Sequence, residues 1–423
     1  MKLITLKSLF LCLPLYGASS FCNAAIEAQL PDVFRGDAPS SNIEISYQDL
    51  DAILKASVVV TGQSTRKAAS KNVAVTGTRL RRHSKRLTEN EGNRFLFESF
   101  KNKRYSGLLT EIRSSLEKVP SEVPLRLLSK SEQLAYWLNL YNVTLLDELI
   151  QIYPKKNLQD ISEGKDPLFS RKLLNVAGEN LSLNDIQHNI LMPKFDGELL
   201  IIYGLYQGII GGPNIRRSAY TGENVYRALK DNAYEFVNSN RGTYASKKDV
   251  VSVSSFYRRN ERYFPHFKQD VKKHILEYLQ GSRMREKLAD ANKVRANIDN
   301  WTISDVYGTT RHSGGSINNN SAALMDSVSA VPGIPGLGTG FGAANLGLAA
   351  GYMLARRGNF RRFTPEQAQK LKSLEESRAI NRGQVAVTDF DEEYARLERK
   401  EQAEREKEAS EKKEEAEFEY DDY

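Results

Sequence analysis

The residues that could do chemistry in this sequence lie around a glycine-rich bend, in the stretch ELLIIYGLYQGIIGGPNIRRSAYTGENVYRAL. His188, shortly before it, is a candidate catalytic base, because an imidazole exchanges protons near neutral pH. Amide and phenol groups on a preceding helix could contact a ligand, and arginines after the bend could hold a carboxylate or a phosphate. These candidate ligand-binding residues are Asn139, Tyr141, Asn142, Arg216 and Arg217.

Each candidate also has a purely structural explanation. His188 is flanked by apolar residues, which favours a structural histidine over a catalytic base. Asn139 and Asn142 lie three residues apart on one helix face, and we favour bracing of a loop over ligand binding. A phosphate cradle would need a lysine or hydroxyl residue at a fixed distance after the glycines, and none follows. The bend is instead typical of a tight turn made by Gly211, Gly212 and Pro213.

Other kinds of catalytic site are not indicated. The histidines show no spacing typical of metal ligands, and the sequence contains no G-x-S-x-G motif. An acid pair for glycoside hydrolysis stays open, because two carboxylates can meet from distant positions in a sequence. We therefore predict no metal and no cofactor.

Residues 1–25 are typical of a secretory signal peptide. Two lysines precede an apolar run, and small residues follow it, so cleavage is expected after Ala24 or Ala25. The alternative is an N-terminal membrane anchor, although the run is short for a span. The only cysteines, Cys12 and Cys22, lie in this segment. The mature chain would then have no disulfide, no cysteine nucleophile and no thiolate metal site.

Charge is distributed unevenly along the chain, whose formal net charge is +7. The stretch from 389 to 423 is strongly acidic, whereas the stretch from Arg66 to Arg86 contains only basic charges. Such a basic run can bind nucleic acid or an anionic surface. Nucleic acid is disfavoured here, because no DNA-binding motif accompanies the run. We favour a solvated loop, with an anionic envelope polymer or lipid headgroups as alternatives.

Apolar periodicity predicts several helices in the first half of the chain. One covers 46–59 with Ser46 as its cap, and one or two more cover 93–119 and end at Pro120. The strongest covers 129–154, capped by Ser129 or Ser131, and its dense apolar residues predict that it is buried.

The second half is predicted to mix short strands with helices. A hairpin at 173–176 and 180–183 precedes a helix that is capped by Asn184 and contains His188. A strand is expected at 199–203, and a helix from Thr221, with Asn224 near its first turn. A strand and a helix follow in 249–264, then two helices separated by Gly281 and a last strand in 296–305. The predicted class is α+β, predominantly helical with a small sheet.

Four motifs resemble the domain of unknown function 547 family, in the order in which that family carries them. They are AYWLNLYN, LSLNDIQHNIL, GGPNIRRSAYTGENVYRAL and NWTISD, and they span about residues 100–306. The resemblance implies a fold but no activity, because the family has no agreed function. The matching residues are Trp137, Asn139, Tyr141, Asn142, Asp185, Ile186, His188, Pro213 and Tyr220.

The bend departs from the pattern of that family. Many members carry a histidine just before the bend and cysteines around it. This chain has no histidine in LLIIYGLY and no cysteine in QGIIGGP. If those residues form a thiol site in relatives, the resemblance implies that this chain lacks it.

The composition changes beyond residue 306. Residues 307–326 form a polar linker, and residues 327–355 are apolar, uncharged and rich in glycine. Their length permits a membrane span with arginines on its cytoplasmic side, but the glycines and prolines favour a segment that packs on the domain, a partner or a membrane surface. Residues 356–423 are expected to form a charged helical or disordered tail. The predicted domain organisation has six parts. They are the signal peptide 1–25, an N-terminal helix and basic loop 26–92, the family core 93–306, the linker 307–326, the apolar segment 327–355 and the tail 356–423.

These observations predict an exported, periplasmic envelope protein, with residues 327–355 as a candidate anchor in the inner membrane. We favour a binding or scaffold module over an enzyme, because the bend lacks cysteine and the chain carries a basic loop and a charged tail. The expected partner is an envelope protein or an anionic polymer. The alternative is a hydrolase or transferase acting on an envelope peptide or glycan.

Overall fold

The computed structural model describes residues 30–68, 87–245, 249–306 and Arg362, all within one compact unit, Met1–Arg362. The predicted signal peptide, most of the basic run, the predicted linker and the apolar segment lie outside the described residues, as does the tail apart from Arg362. Among the described residues, no helix has the length and apolar character needed to cross a membrane.

Helices dominate the fold, as predicted, and the class α+β is confirmed. The α-helices are α1 Gln48–Ser57, α2 Lys103–Glu122, α3 Lys130–Ile152, α4 Gln159–Glu163, α5 Met192–Lys194, α6 Val225–Val237, α7 Ser255–Arg259, α8 Phe267–Tyr278 and α9 Ser282–Asp290. A π-helix covers Asp185–Leu191. Short 3-10 helices are Asp32–Phe34, Phe97–Lys101, Leu125–Leu127, Leu168–Ser170, Leu199–Gly204 and Glu261–Tyr263.

The strands form three small sheets. They are β1 Val58–Val59, β2 Arg94–Phe95, β3 Leu174–Val176, β4 Glu179–Leu181, β5 Thr243–Tyr244, β6 Val250–Ser254 and β7 Lys293–Ile298. Antiparallel pairs join β1 to β2 and β3 to β4, so the predicted hairpin is confirmed. The third sheet has the order β5-β6-β7, with β5 antiparallel and β7 parallel to β6. The parallel pair requires a crossover, which α7, α8 and α9 provide.

Helix α3 is the centre of the fold. Ser129 caps it by accepting a hydrogen bond from the Glu132 amide at 3.2 Å, which confirms one of the two predicted caps. Its residues from Glu132 to Asp147 are all buried. Phe34 from the N-terminal segment packs edge-on against Trp137 at 5.0 Å between ring centroids. The N-terminal segment therefore contributes to the same core as the helix.

Two helix boundaries differ from the prediction. Ser46 does not cap α1, because Tyr47 is the cap position and the Ser46 backbone bonds to Arg362 instead. Helix α2 continues through Pro120 to Glu122. A proline lacks the amide that would bond to the carbonyl four residues earlier. Here the Tyr136 hydroxyl donates to that carbonyl, Leu116 O, at 3.1 Å, so the helix keeps its hydrogen bonding without the proline amide.

Two expectations near the bend were wrong. Asn184 does not cap the following helix; Ser182 and Asp185 bond to each other's backbone amides instead. Residues 199–203 form a 3-10 helix rather than a strand. Glu198 accepts a hydrogen bond from the Leu200 amide at 3.2 Å and so starts this turn. Gly204, at its end, packs so tightly that a Cβ atom would lie 2.5 Å from Leu229 and 2.9 Å from Leu138.

The glycine bend pairs with the last segment of the domain. Ile210 and Gly211 donate backbone hydrogen bonds to Thr302 and Asn300, each at 2.9 Å. Ser304 donates to Gly208 at 2.9 Å. The predicted last strand is shifted, since β7 ends at Ile298 and residues 299–306 instead make isolated bridges to Ile209, Asn157 and Phe95.

We expect Gly211→Ala to destabilise the fold. A Cβ atom at this position would lie 2.8 Å from the Asn300 backbone nitrogen and 2.9 Å from its oxygen, so the two segments would have to separate. The expected loss in the free energy of unfolding is about 1–3 kcal/mol, measured by urea denaturation. Gly107→Ala is the matched control. Gly107 lies in α2 with nothing within 4 Å of a built Cβ, so alanine should stabilise by about 0.5–1 kcal/mol. Equal stability of the two variants would contradict this account of the bend.

Candidate functional site

Asn139 and Asn142 of α3 both bond to loop backbone. The Asn139 amide donates to Tyr220 O at 2.8 Å and accepts from Tyr220 N at 3.0 Å. The Asn142 amide donates to Gly204 O at 2.9 Å and accepts from Tyr206 N at 3.0 Å. Each side chain therefore uses its donor and acceptor groups to hold the chain before and after the bend.

Glu132 ties two further loops to the same helix. Its carboxylate accepts hydrogen bonds from Ile45 N at 2.9 Å and Gly222 N at 2.8 Å. Burial raises the pKa of Glu132, and the two backbone donors act in the opposite direction. Thr221 and Asn224 then make reciprocal side chain to backbone bonds before α6 begins at Val225.

The two predicted arginines have different surroundings. Arg216 donates to the Ala228 carbonyl at 3.0 Å, and its guanidinium lies 5.7 Å from the centre of the Tyr220 ring. Arg217 is exposed and donates to the Lys55 carbonyl at 3.2 Å. Both groups contact the ends of neighbouring helices rather than the bend itself.

The bend residues Gly211, Gly212 and Pro213 are all buried. The Gly211 carbonyl accepts from the Ser254 hydroxyl at 3.2 Å, and the Gly212 carbonyl accepts from Arg241 Nε at 3.2 Å. Arg241 is fully buried and also forms an ion pair with Glu235. The backbone of the turn is therefore engaged with the interior and does not present a row of free amides to a ligand.

His188 is half-buried and lies in the π-helix, where its Nδ1 atom is hydrogen-bonded to the Tyr263 hydroxyl. Burial and the positive charge of Arg262 lower the pKa of His188 to about 4, against an opposing effect of Asp185. The imidazole is therefore neutral at pH 7. The neighbouring Gln187 donates to Asn260 at 2.7 Å. Single π-helical turns are often found at functional sites.

Residues 255–263 contact both the π-helix and the start of the glycine bend. Asn260 and Tyr263 meet the π-helix, and Arg259 meets Gln207 at the start of the bend. An aromatic cluster fixes this segment from behind. Tyr203 O–H pairs with the Tyr257 hydroxyl at 3.0 Å and with His274 Nε2 at 2.9 Å.

Arg259 is the most unusual of these groups. Its guanidinium donates to Gln207 Oε1 at 2.7 Å and to Ser255 Oγ at 2.8 Å, and lies 4.6 Å from the centre of the Trp301 ring. Burial lowers the pKa of Arg259 to about 10, while Glu163, Asp299 and Tyr141 oppose the shift. The group is therefore still a cation at pH 7.

No carboxylate of the described residues lies within 4.0 Å of that guanidinium, and both of its hydrogen-bond partners are uncharged. The buried Tyr141 lies close enough that the charge of Arg259 opposes the effect of burial, which raises the pKa of Tyr141. Gln207 and Arg259 are both half-buried. We call the group Tyr141, Gln207, Ser255, Arg259 and Trp301 the Arg259 site.

The structure thus brings one predicted residue, Tyr141, to a cluster that the sequence did not reveal. Arg259 stands beside Arg258 in a strongly basic stretch, and nothing in its position distinguishes it from its exposed neighbour. The sequence indicated Trp301 only as part of the motif NWTISD. Within the described residues, no group of His, Cys, Asp and Glu side chains has an arrangement that could hold a metal.

We expect His188 to titrate with a midpoint near pH 4, below its usual 6.5, because burial and Arg262 disfavour the imidazolium. Nuclear magnetic resonance of the labelled imidazole measures this directly. Arg262→Ala should raise the midpoint, whereas Arg258→Ala, which removes an exposed arginine of the same segment, should not. A wild-type midpoint near 6.5 would show that the ring is solvated rather than packed against Tyr263.

Comparison with known proteins supports the family resemblance and supplies no activity. No curated protein and no solved structure matches the chain. One family model matches, with the description "Protein of unknown function, DUF547". The matched range is narrower than the motifs suggested: it includes Asn139, Tyr141, His188 and the bend, but ends before Arg259 and Trp301. Residues 125–237 therefore carry the resemblance to the DUF547 family, as the motifs of the sequence predicted.

Proposed function

We propose that this protein is an exported envelope protein that acts as a binding or scaffold module, and that its domain binds a carboxylate group at the Arg259 site. The observation that carries this proposal is the half-buried guanidinium of Arg259, which has two uncharged partners and no carboxylate within 4.0 Å among the described residues.

Removing a guanidinium from water costs free energy unless an anion or several hydrogen bonds compensate. Gln207 and Ser255 accept one hydrogen bond each, from the two terminal nitrogens of Arg259, and they leave part of its fork of five donors for a ligand. The Trp301 ring, 4.6 Å away, holds the planar group in place. A fixed guanidinium plane suits bidentate recognition of a carboxylate or phosphate.

The surrounding charges favour a carboxylate over a phosphate. Glu163 and Asp299 are close enough to influence Arg259, and both bear negative charge. Their field opposes any incoming anion, and it opposes a doubly charged phosphate more strongly than a singly charged carboxylate. We therefore propose a peptide or a sugar acid that presents one carboxylate, with its remainder near the half-buried Gln207.

The proposed location rests on sequence features outside the described residues. The pattern of residues 1–25 supports export to the periplasm, and the basic run supports an envelope protein or an anionic polymer as partner, with nucleic acid disfavoured. Arg66, at the start of that run, is already engaged: its guanidinium donates to Thr243 O at 2.6 Å and to Val237 O at 3.4 Å. The apolar residues 327–355 support association with a membrane.

Calorimetric titration of the full chain tests the carboxylate site. N-acetyl-dialanine, with a free carboxylate, should bind, and its carboxamide should not. Arg259→Gln should weaken binding at least about tenfold, because it removes a charge-assisted bidentate contact. Arg259→Lys should restore only part of the affinity, since it keeps the charge but not the fork.

Arg258→Gln is the matched control, because Arg258 is the exposed neighbour in the same helix. It removes an equal charge and should leave binding unchanged. Thermal unfolding of each variant shows whether the fold persists. Equal binding of the carboxylate by the wild type and a folded Arg259→Gln variant would refute the site. Preferential binding of inorganic phosphate would refute the choice of carboxylate.

A hydrolase or transferase acting on an envelope peptide or glycan is the second candidate function. The neutral, half-buried imidazole of His188 favours it, because a neutral imidazole can accept a proton. Against it, Asn139 and Asn142 already use their amides on backbone groups, so they are not free to orient a substrate. The enzyme hypothesis predicts turnover of envelope material by the full chain, abolished in His188→Ala. Turnover that survives in His188→Ala would remove the base on which this hypothesis depends.

A further inference from the structure

A second guanidinium, that of Arg362, has every donor satisfied. Arg362 is 3% exposed and lies between the start of α1 and the middle of α2. Its NH1 and NH2 atoms bond to the two oxygens of Asp49 at 2.8 and 2.7 Å. Its Nε atom donates to the Ser115 hydroxyl at 3.0 Å. Two backbone carbonyls, Ser46 O at 2.9 Å and Ile112 O at 3.5 Å, complete five hydrogen bonds.

The contact also includes the backbone of Arg362. The Ser46 amide donates to the Arg362 carbonyl, while the Ser46 carbonyl accepts from the Arg362 side chain. The Asp49 side chain is 9% exposed, and one of its oxygens also accepts from the Leu50 amide at 2.8 Å. A bidentate pair with this burial is specific for arginine, because a lysine cannot satisfy five acceptor positions.

This contact holds a residue that comes directly after the segment 307–361. Val306 donates to Phe95 O at 3.1 Å, so the chain is fixed to the domain just before residue 307. Arg362 is fixed to the same compact unit. Val306 and Arg362, the described residues on either side of the segment 307–361, are therefore both held within one compact unit.

We infer that Ser46, Asp49, Ile112 and Ser115 form an intramolecular binding site for Arg362, and that this site keeps Val306 and Arg362, on either side of the segment 307–361, on the same side of any membrane. This inference does not depend on the Arg259 site.

A single membrane span is incompatible with this contact. If 327–355 crossed a membrane once, residue 356 would emerge on the side opposite to the domain. The seven residues from 356 to 362 reach at most about 25 Å when fully extended. A bilayer is about 40–45 Å thick with its headgroups, and residues 356–362 carry four arginines, so this stretch could not cross back to bring Arg362 to Asp49.

Hydrogen exchange of the full chain tests the contact. In Arg362→Gln, and equally in Asp49→Asn, exchange of the Ser46 amide should accelerate by about a hundredfold, because each change breaks a buried ion pair. The double variant should exchange no faster than either single one. Arg361→Gln, which removes the neighbouring arginine, is the control and should match the wild type. Unchanged exchange at Ser46 in both single variants would overturn the inference.

The topological consequence has its own measurement in cells. One protease-sensitive tag follows Tyr423, and another is inserted in the exposed hairpin turn between Val176 and Glu179. Both tags should be digested together or protected together. Digestion of one with protection of the other would place the domain and the tail on opposite sides and refute the inference. A failure here leaves the carboxylate test at Arg259 unaffected, since the two experiments share neither residues nor readout.

Discussion

The fold depends on a 23-residue helix, α3, that is buried along most of its length. A buried helix cannot leave its polar side chains unpaired, because an unsatisfied polar group in the interior costs about 1–3 kcal/mol. The helix meets this requirement with backbone groups of surrounding loops. Glu132 holds the segments at Ile45 and Gly222, Asn139 holds Tyr220, and Asn142 holds the chain at Gly204 and Tyr206. The polar side chains of one helix thus fix the geometry of the loops around it.

The geometry of the glycine bend is set by these hydrogen bonds from α3 and by the last segment of the domain, residues 299–306. Asn142 fixes its beginning, and the Asn300 backbone approaches so closely that any side chain at residue 211 would force the two segments apart. The same last segment places Trp301 against Arg259, so one constraint shapes both the turn and the Arg259 site. The bend itself contributes Gln207 to that site. Its central glycines face the interior, which explains why they offer no phosphate cradle.

Arg362 and Arg259 are both shielded from solvent but differ in their hydrogen-bond partners. Arg362 has a carboxylate and three further acceptors, and all five of its donors are used. Arg259 is also largely shielded, but its partners are an amide and a hydroxyl. The first pattern belongs to a closed internal contact, and the second leaves capacity for an external anion. Both arginines lie in basic stretches, and the sequence alone does not distinguish their roles.

The sequence by itself determined the features that depend on local patterns. Apolar periodicity located α3 and its burial, turn residues located the β3–β4 hairpin, and ordered motifs indicated the family. Local patterns failed where a distant residue decided the outcome. Leu199–Gly204 coils because it packs against α3 and α6, and α2 passes Pro120 because Tyr136 satisfies the freed carbonyl. The Arg259 site unites residues separated by up to 160 positions, Tyr141 and Trp301, and the Asp49 contact spans 313. Only the tertiary structure could decide these, because burial and charge pairing are properties of neighbours in space.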